Sequence, residues 1–206
     1  MKRVLVALFA LCLLTGATQA MPTITMHTAN SPVGNQVWPG LVGLEFDVVG
    51  SNFTVTDLGV YDSGADGIGA GTTLTTVLFD ADTRAVIASK SFDSTDAFGG
   101  DYMFKKITPV VLPVGHYALV SYGFDADDPL HNINFGGPGP NRAPELAYVD
   151  SIWSSGTDVA TAVFSHGTPD YFDGPNMIFS VPAPGALLLG MFGTGLLGWL
   201  RSRRSL

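Results

Sequence analysis

Short apolar runs separated by turn-forming residues constrain the fold of this chain more than any other feature. Leu44, Phe46 and Val48 alternate with Glu45 and Asp47, a period of two that is typical of a strand with one buried face and one solvated face. Clusters of Gly, Pro and Asp follow such runs, at 62–71, 94–101, 125–129 and 136–144. No helical period of 3.6 residues competes over a useful length, so the sequence predicts an all-β protein.

The pattern predicts a β-sandwich built from antiparallel sheets. Beyond the strand at 44–48, further strands are expected at 53–60, 73–79, 85–92, 102–107, 116–124, 145–152, 159–164 and 177–181, with a slip of register near Asp57. Many short strands without a βαβ rhythm favour a jelly-roll-like or immunoglobulin-like arrangement. The only cysteine is Cys12, so the core must hold without disulfides, and residues 21–180 are enough for one such domain.

Residues 1–20 have the features of a secretory signal peptide. Lys2 and Arg3 precede an apolar run over residues 4–14, and a small-residue site, Thr18-Gln19-Ala20, follows. The 11 apolar residues are too few to span a bilayer, which favours cleavage over a permanent anchor. We expect cleavage after Ala20 and export of the rest of the chain.

Residues 181–206 have the features of a membrane-directed tail. The 18 residues 183–200 carry no charge, and at 1.5 Å each they form a helix that nearly spans a hydrocarbon core of about 30 Å. Two short motifs mark the ends of this run: Val181, Pro182, Ala183 and Pro184 overlap its start, and Arg201, Arg203 and Arg204 follow it. Basic residues stay in the cytoplasm, so we expect a transmembrane helix at 183–200, an arginine-rich cytoplasmic end at 201–206, and everything before Pro182 outside.

These flanking motifs resemble the PEP-CTERM sorting signal of Gram-negative bacteria, which combines a short proline motif, a Gly- and Leu-rich transmembrane helix and an arginine cluster. The Val-Pro-x-Pro frame is present, with Ala183 where the family has Glu. The resemblance implies processing by an inner-membrane exosortase and transfer to the cell surface, in species that make exopolysaccharide. Ala186, Gly190, Thr194 and Gly198 fall in one helical stripe and leave a second interpretation open, a permanent dimerising anchor whose tail stays intact.

The exported part resembles an uncharacterised β-sandwich domain that often precedes such tails. The segments that carry the resemblance are VTDLGVYD at 55–62, VLFD at 77–80, LPVGHYALVSY at 112–122 and YFDGPNM at 171–177. The resemblance implies secretion and a sandwich fold, and it brings no established activity.

The exported part is strongly acidic. All 18 acidic residues lie between Glu45 and Asp173, against five basic residues in the same part, which gives it a net charge of −13. Nucleic acid and anionic lipid surfaces are poor partners for such a field. The remaining five basic residues lie at the two ends of the chain, where they direct membrane topology.

Two aspartate-rich loops are candidate calcium sites. Asp62 and Asp66 lie in a Gly-rich stretch, and Asp125 and Asp127 follow the strand expected at 116–124. Carboxylate oxygens are the ligands that Ca²⁺ prefers, although the spacing is not that of an EF-hand. The alternative is that these residues close turns through hydrogen bonds to nearby amides.

Aromatic residues offer a second candidate site, for carbohydrate. Seven of them could present flat faces to sugar rings: Trp38, Tyr102, Tyr122, Tyr148, Trp153, Tyr171 and Phe172. Tyr171 and Phe172, which lie between Asp170 and Asp173, are the pair that we expect to be exposed and to bind a ligand. Most aromatic residues of a small sandwich belong to its core, which is the alternative for each of them.

Catalysis finds little support in the sequence. The four histidines lack the spacing of a zincin, and no Gly-x-Ser-x-Gly motif occurs. We expect a non-catalytic protein of the extracellular polysaccharide matrix or cell envelope, structural or adhesive, with calcium as a candidate ion. An exosortase and exopolysaccharide are the expected partners, and the route leads through the inner membrane to the cell surface or the medium. The alternative is an exported carbohydrate-active hydrolase that uses Asp125, Asp127 and Asp128 beside His131.

Overall fold

The computed structural model describes residues 23–97, 99–133, 146–167 and 171–181. Within these residues the chain forms β-strands and no helix. The strands are β1 (Thr23–Thr25), β2 (Leu41–Val48), β3 (Phe53–Tyr61), β4 (Thr73–Asp80), β5 (Val86–Asp93), β6 (Tyr102–Leu112), β7 (Gly115–Tyr122), β8 (His131–Ile133), β9 (Leu146–Ser154), β10 (Ser165–His166), β11 (Tyr171–Asp173) and β12 (Pro175–Ser180). The prediction of an all-β protein is confirmed.

Neighbouring strands pair antiparallel and form two main sheets. The order β10-β9-β2-β7-β4-β5 makes a six-stranded sheet, β1-β12-β3-β6 makes a four-stranded sheet, and β8 and β11 form a separate pair. Four pairings are nested about the β4–β5 connection: β4 with β5, β3 with β6, β2 with β7 and β1 with β12. The chain therefore resembles one long hairpin that is folded over on itself. As a result, successive strand pairs belong alternately to the six-stranded and the four-stranded sheet.

An apolar layer joins the two main sheets. Its buried side chains come from both, with Phe46 and Leu119 in the six-stranded sheet and Leu58 and Phe179 in the four-stranded sheet. Phe53 and Phe179 stack with their ring centroids 4.9 Å apart. Fully burying one such side chain contributes roughly 1.5–3 kcal/mol, so this layer is a main source of stability. The arrangement is sandwich-like, as the sequence predicts.

The outward face of β2 is more buried than the sequence predicts. Leu44, Phe46 and Val48 are buried between the sheets as expected, but Glu45 is buried too, at 6% exposure. On this outer side of the six-stranded sheet a second apolar cluster packs Val159 and Phe164 against Phe79 and Val120. The segment that follows β9 therefore shields a face that alternation alone assigns to solvent.

Residues 159–164, expected to be a strand, form none; the segment begins with a turn at 159–161. Asp158 closes this turn, because its carboxylate accepts hydrogen bonds from the Ala160 backbone N–H at 3.0 Å and from the Thr161 hydroxyl at 3.0 Å. The Asp158 carbonyl also accepts from the Ala162 N–H at 2.9 Å. An aspartate that satisfies the amides after it competes with strand pairing, and apolar spacing does not reveal this.

The register slip expected near Asp57 is confirmed. The pairing of β3 with β6 is irregular between Val55 and Asp57, and the pairing of β3 with β12 shifts between Ile178 and Phe179. An extra residue of this kind bends a strand and increases its local twist. β3, one of the two central strands of the four-stranded sheet, therefore pairs irregularly with both of its neighbours.

The predicted targeting segments lie outside the described residues. These are the signal peptide with its cleavage site at Ala20, the prolines and alanine of the motif at 182–184, and the helix at 183–200 with the arginines that follow it. Val181 is described, and it packs, partly buried, against the apolar layer between the sheets. Over the described ranges no helix has the length and apolarity needed to cross a membrane. Export and sorting stay predictions.

Candidate functional site

A cavity of about 190 Å³ lies between the six-stranded sheet and the β8–β11 pair. Its described lining comes from the segment before β2 and from β2, β8, β9 and β11: Gln36, Trp38, Val42, Asn132, Trp153 and Phe172. Three of these side chains are aromatic, two are amides and none carries a charge. Apolar walls with a few polar groups are typical of a site for a small molecule.

The aromatic side chains of the cavity are held in place by the surrounding structure. Trp153 and Phe172 pack edge to face, with ring centroids 6.0 Å apart and 68° between the ring planes. Trp38 donates its Nε1–H to the Leu41 carbonyl at 3.3 Å, and its backbone forms a β-bridge with Phe124. Both tryptophans are only partly buried, so each presents surface to the cavity.

The two amide side chains are bonded to each other and to the backbone around them. Asn132 donates from Nδ2 to Gln36 Oε1 at 2.6 Å. The Asn35 side chain makes two hydrogen bonds to the Asn132 backbone. Its Oδ1 accepts a hydrogen bond from the Asn132 N–H at 2.8 Å, and its Nδ2 donates one to the Asn132 carbonyl at 2.9 Å. Gln36 pairs with Leu130 through two backbone hydrogen bonds of 3.0 Å. The orientation of Asn132 is therefore set before any ligand binds.

One atom of Asn132 is left unsatisfied. Its Oδ1 is buried and has no hydrogen-bond partner among the described residues, and the whole residue is 9% exposed. Leaving a buried acceptor unpaired costs about 1–3 kcal/mol. This oxygen has almost no accessible surface, so the cost is part of the folded state and a ligand in the cavity does not reach the atom.

The β8–β11 pair builds one wall of the cavity through its register. Asn132 lies opposite Phe172, and His131 lies opposite Asp173. Side chains alternate along a strand, so the first pair faces the cavity and the second pair faces away from it.

Asp173 is buried behind this wall and accepts hydrogen bonds from three segments of the chain. Asn30 donates its backbone N–H at 2.9 Å and its Nδ2 at 3.0 Å, His131 Nδ1 lies 3.0 Å away, and the Tyr102 hydroxyl lies 3.4 Å away. Burial raises the pKa of the Tyr102 hydroxyl well above its ordinary value, and the negative charge of Asp173 raises it further, so the hydroxyl stays protonated. The Asp173 carboxylate thus links β11 by hydrogen bonds to β8, to β6 and to the segment after β1.

The two predicted aspartate loops meet in space. The Gly69 N–H donates to Asp128 Oδ2 at 2.7 Å, and the Thr72 hydroxyl donates to Asp125 Oδ2 at 2.7 Å. Asp125 Oδ1 also accepts the backbone N–H groups of Asp127 and Asp128, at 2.9 and 3.0 Å. These carboxylates close the loops and join them, which is the turn-closing alternative that the sequence leaves open.

The pKa values of the carboxyl groups in these loops are shifted in opposite directions. Burial raises the pKa of Asp62, and the negative charge of Asp66 raises it further. A hydrogen bond from the Gly67 N–H lowers the pKa but does not outweigh these two effects. Burial likewise raises the pKa of Asp128. At Asp125 burial acts in the same direction, but the hydrogen bonds that this group receives outweigh it and lower the pKa.

The metal prediction concerns Asp62, Asp66, Asp125 and Asp127. Asp62 uses both carboxylate oxygens to accept the Gly67 N–H, at 3.0 and 3.2 Å. In the part of the chain that the structure describes, no group of three or more His, Asp, Glu or Cys side chains is placed to hold a metal ion. Calcium binding at the four aspartates stays a prediction.

The predicted ligand-binding pair is divided between two sides of β11. Phe172 lines the cavity, whereas Tyr171 packs against Tyr148 with ring centroids 5.8 Å apart. Phe172 is 9% exposed, which corrects the expectation of an exposed platform. Gln36 and Asn132 were not predicted from the sequence, because an amide near or within a short strand has no local pattern that marks it. The two tryptophans belong to the wider set of aromatic residues proposed for sugar binding.

A cluster of titratable side chains on the outer face of the six-stranded sheet was also missed. Glu45 Oε2 lies 3.7 Å from His116 Nε2 and 3.8 Å from His166 Nδ1. Asp150 Oδ2 lies 3.8 Å from His166 Nδ1, and Asp82 Oδ1 lies 3.5 Å from His116 Nδ1. These pairs become ion pairs when the histidines are protonated. The five residues come from separate segments, so no local spacing reveals the cluster.

Comparison with known proteins leaves the chain without an assigned family. No protein-family model matches it, and no curated protein matches it. The resemblances of the tail and of the exported part therefore stay predictions.

Proposed function

We propose that this protein is an exported, surface-sorted, non-catalytic carbohydrate-binding protein of the extracellular polysaccharide matrix or cell envelope. The observation that supports binding is the cavity, with its two tryptophans, one phenylalanine and two amides. Sugar rings have apolar C–H faces that can pack on aromatic rings, and hydroxyls that can pair with amide groups. The role of the protein in the matrix is structural or adhesive.

The lining of the cavity supports binding rather than turnover. Acid–base catalysis uses a group that gains or loses a proton near the operating pH, and the Gln36 and Asn132 amides do not titrate. The nearest titratable side chains on the same strands, His131 and Asp173, face the other way and lie 3.0 Å from each other. A site with these groups holds a ligand and leaves it unchanged.

The finer fold that we propose is a jelly roll rather than an immunoglobulin-like sandwich. The nested strand pairs in alternate sheets support it, because two Greek keys formed from one rolled hairpin have that order. β9 and β10 then extend one edge of the six-stranded sheet, beside β2. Jelly rolls include lectin domains, an analogy of fold that is compatible with carbohydrate binding.

Export and sorting complete the proposed route. The signal peptide expected at 1–20 delivers the domain across the inner membrane, and an exosortase processes the tail expected at 181–206. Mass spectrometry of protein recovered from the cell surface tests both steps. We expect an N terminus at Met21 and loss of the tail, whereas an intact tail indicates the permanent anchor.

The binding proposal is tested with the purified full chain and the exopolysaccharide of its host. Saturable retention on the immobilised polymer is measured with calcium and with a chelator. Trp38→Ala removes one aromatic wall and should lower the affinity about tenfold or more. Tyr171→Ala is the matched control, because Tyr171 packs against Tyr148 away from the cavity and should leave the affinity unchanged.

Each other outcome points to a different site. Loss of binding in Tyr171→Ala but not in Trp38→Ala would exclude the cavity. Binding that requires calcium would bring the aspartate loops into the site. Release of new reducing ends, abolished by Asp127→Ala, would favour the hydrolase alternative over our proposal.

A further inference from the structure

We propose that the end of the sandwich from which the predicted tail leaves is a membrane-docking surface, and that Val49 and Val114 enter the lipid interface there while the tail is intact. The inference rests on the proposed export and insertion of the tail, and it adds how the folded domain meets the bilayer. Three observations carry it: the place where β12 ends, the exposed valines beside that place, and the different charge of the two ends of the sandwich.

The end of β12 lies beside two strand-connecting loops. β12 ends opposite Thr54 of β3, and Thr54 lies opposite Val111 of β6. The loop before β3, residues 49–52, and the loop after β6, residues 113–114, are therefore at the same end of the sheet as Val181, which we call the tail end. Neighbouring strands are about 4.8 Å apart, so both loops join the sheet within about 10 Å of the end of β12.

The predicted transmembrane helix begins too close to the tail end for the domain to stand clear of a bilayer. Ala183 is two residues beyond Val181, a length of at most about 7 Å of extended chain. The headgroup region on one side of a bilayer is about 5–7 Å deep. An inserted helix at 183–200 therefore brings Val181 and the loops beside it to the membrane surface.

The tail end presents exposed apolar side chains to that surface. Val48 lies opposite Gly115 in the pairing of β2 with β7, so Val49 and Val114 follow this pair side by side into the loops. Val49 is 51% exposed, Val114 is 61% exposed, and Val111 nearby is 57% exposed. Interfacial binding becomes stronger with the apolar area that the lipid buries, and neighbouring exposed valines supply such area.

Hydrogen bonds hold both loops in place. The Ser51 N–H donates to the Val49 carbonyl at 2.9 Å, and the Tyr117 hydroxyl donates to the Pro113 carbonyl at 3.1 Å. Valines on loops that are already ordered lose little conformational freedom when they enter the lipid interface.

The two ends of the sandwich differ in charge. Three of the described loops lie at the tail end: 49–52, 81–85 and 113–114. They contain one acidic residue, Asp82, and one basic residue, Arg84. The loops at the opposite end, which follow β3, β5 and β7, contain no basic residue and these acidic ones: Asp62, Asp66, Asp96, Asp101, Asp125, Asp127 and Asp128. Moving charge toward lipid is costly, so the tail end is the one that a bilayer accepts.

Docking at the tail end leaves the cavity open to the medium. Val42 and Trp153, which line the cavity, lie opposite each other at the start of β2 and near the end of β9. The tail end is where β2 ends and β9 begins. The proposed sugar site therefore faces away from the membrane.

The experiment measures contact with lipid at three exposed positions. The full chain with Cys12→Ser, which removes its only cysteine, receives one new cysteine by Val49→Cys, Val114→Cys or Val33→Cys. An environment-sensitive fluorophore is attached to that cysteine, and the protein is reconstituted in phosphatidylcholine vesicles and floated on a density gradient. We expect spin-labelled lipids to quench the fluorophores at 49 and 114.

Val33 is the matched control, and its fluorophore should stay unquenched. It is 59% exposed, close to Val114, but it lies at the opposite end of the sandwich. The adjacent Gly34 N–H donates at 2.9 Å to Ser63 Oγ, which belongs to the loop that follows β3.

A second variant tests whether the valines hold the domain on the bilayer. Val49→Asp, in the protein labelled at 114, should lower the quenching there to the level found at 33, because the new charge keeps this end out of the lipid. Val33→Asp is the control and should leave the quenching at 114 unchanged. Both positions are more than half exposed, so neither substitution should shift the thermal unfolding midpoint.

Each other outcome overturns a defined part of the account. Equal quenching at 49, 114 and 33 in a chain that floats with the vesicles overturns docking but leaves the tail inserted. Quenching at 114 that survives Val49→Asp also overturns docking by the valines, because the short connection to the tail then explains the proximity alone. A folded chain that does not float with the vesicles overturns tail insertion and docking together, and it leaves sugar binding at the cavity untouched.

Discussion

Replacement of Asp173 by asparagine should destabilise the protein by about 2–4 kcal/mol. Asp173 is 1% exposed, and each of its carboxylate oxygens accepts two hydrogen bonds, shared among the Asn30 backbone, the Asn30 side chain, His131 and Tyr102. Asparagine offers one oxygen and one NH₂ group, so two donors lose their acceptor at about 1–3 kcal/mol each. The lower part of that range applies because the Tyr102 hydroxyl can turn to His27 Nδ1, 3.3 Å away.

Thermal unfolding of the full chain measures this effect. For a domain of this size about 1 kcal/mol corresponds to a shift of roughly 2–4 °C, so the midpoint should fall by about 4–16 °C. Asp82→Asn is the matched control: it removes the same charge from a side chain that is 75% exposed, and it should change stability by no more than about 0.5 kcal/mol. If Asp173→Asn is as stable as Asp82→Asn, the buried carboxylate does not hold these segments together and the reasoning is refuted.

Two further predictions concern the loops. Burial raises the folded-state pKa of Asp62 above its ordinary 3.8, so the folded protein binds this proton more tightly than the unfolded chain, and the contribution of the group to stability falls as pH rises. The stability of Asp62→Asn relative to the wild type should therefore increase from about pH 4 to pH 7 in urea unfolding, and a constant difference would contradict this. At Gly123, with φ of +103°, an added Cβ would lie 2.4 Å from the Thr73 carbonyl oxygen, whereas at Gly50, with φ of +78°, it would meet nothing within 4 Å. Gly123→Ala should cost about 3 kcal/mol or more and Gly50→Ala about 1–2 kcal/mol, and equal losses would show that the contact with Thr73 has no effect.

The strands and the inward-facing core were predictable because their signal is local. Alternation over a few residues places Leu44, Phe46 and Val48 on one face wherever the strand pairs. The burial of the other face depends on distant parts of the chain: Glu45 is buried, and His166, more than a hundred residues later, lies 3.8 Å from its carboxylate. A different limit applies at 159–164, where the local hydrogen bonds of Asp158 close a turn at 159–161 and outweigh an apolar spacing that resembles a strand.

The aromatic part of the candidate site was predictable from residue type, and the polar part was not. Trp38, Trp153 and Phe172 were among the aromatic candidates for sugar binding, although any of them could have been core. Asn132 meets Gln36 across 96 residues of sequence. The place of Asn132 in the cavity lining is set by tertiary packing rather than by sequence spacing, so no local pattern marks it.

A crystal structure of the full chain with the sugar that binds best tests the central claim most directly. We predict that the ring lies in the cavity against Trp38 and Trp153. A sugar bound at the aspartate loops, or at Tyr171 on the other side of β11, with the cavity empty, would contradict the account.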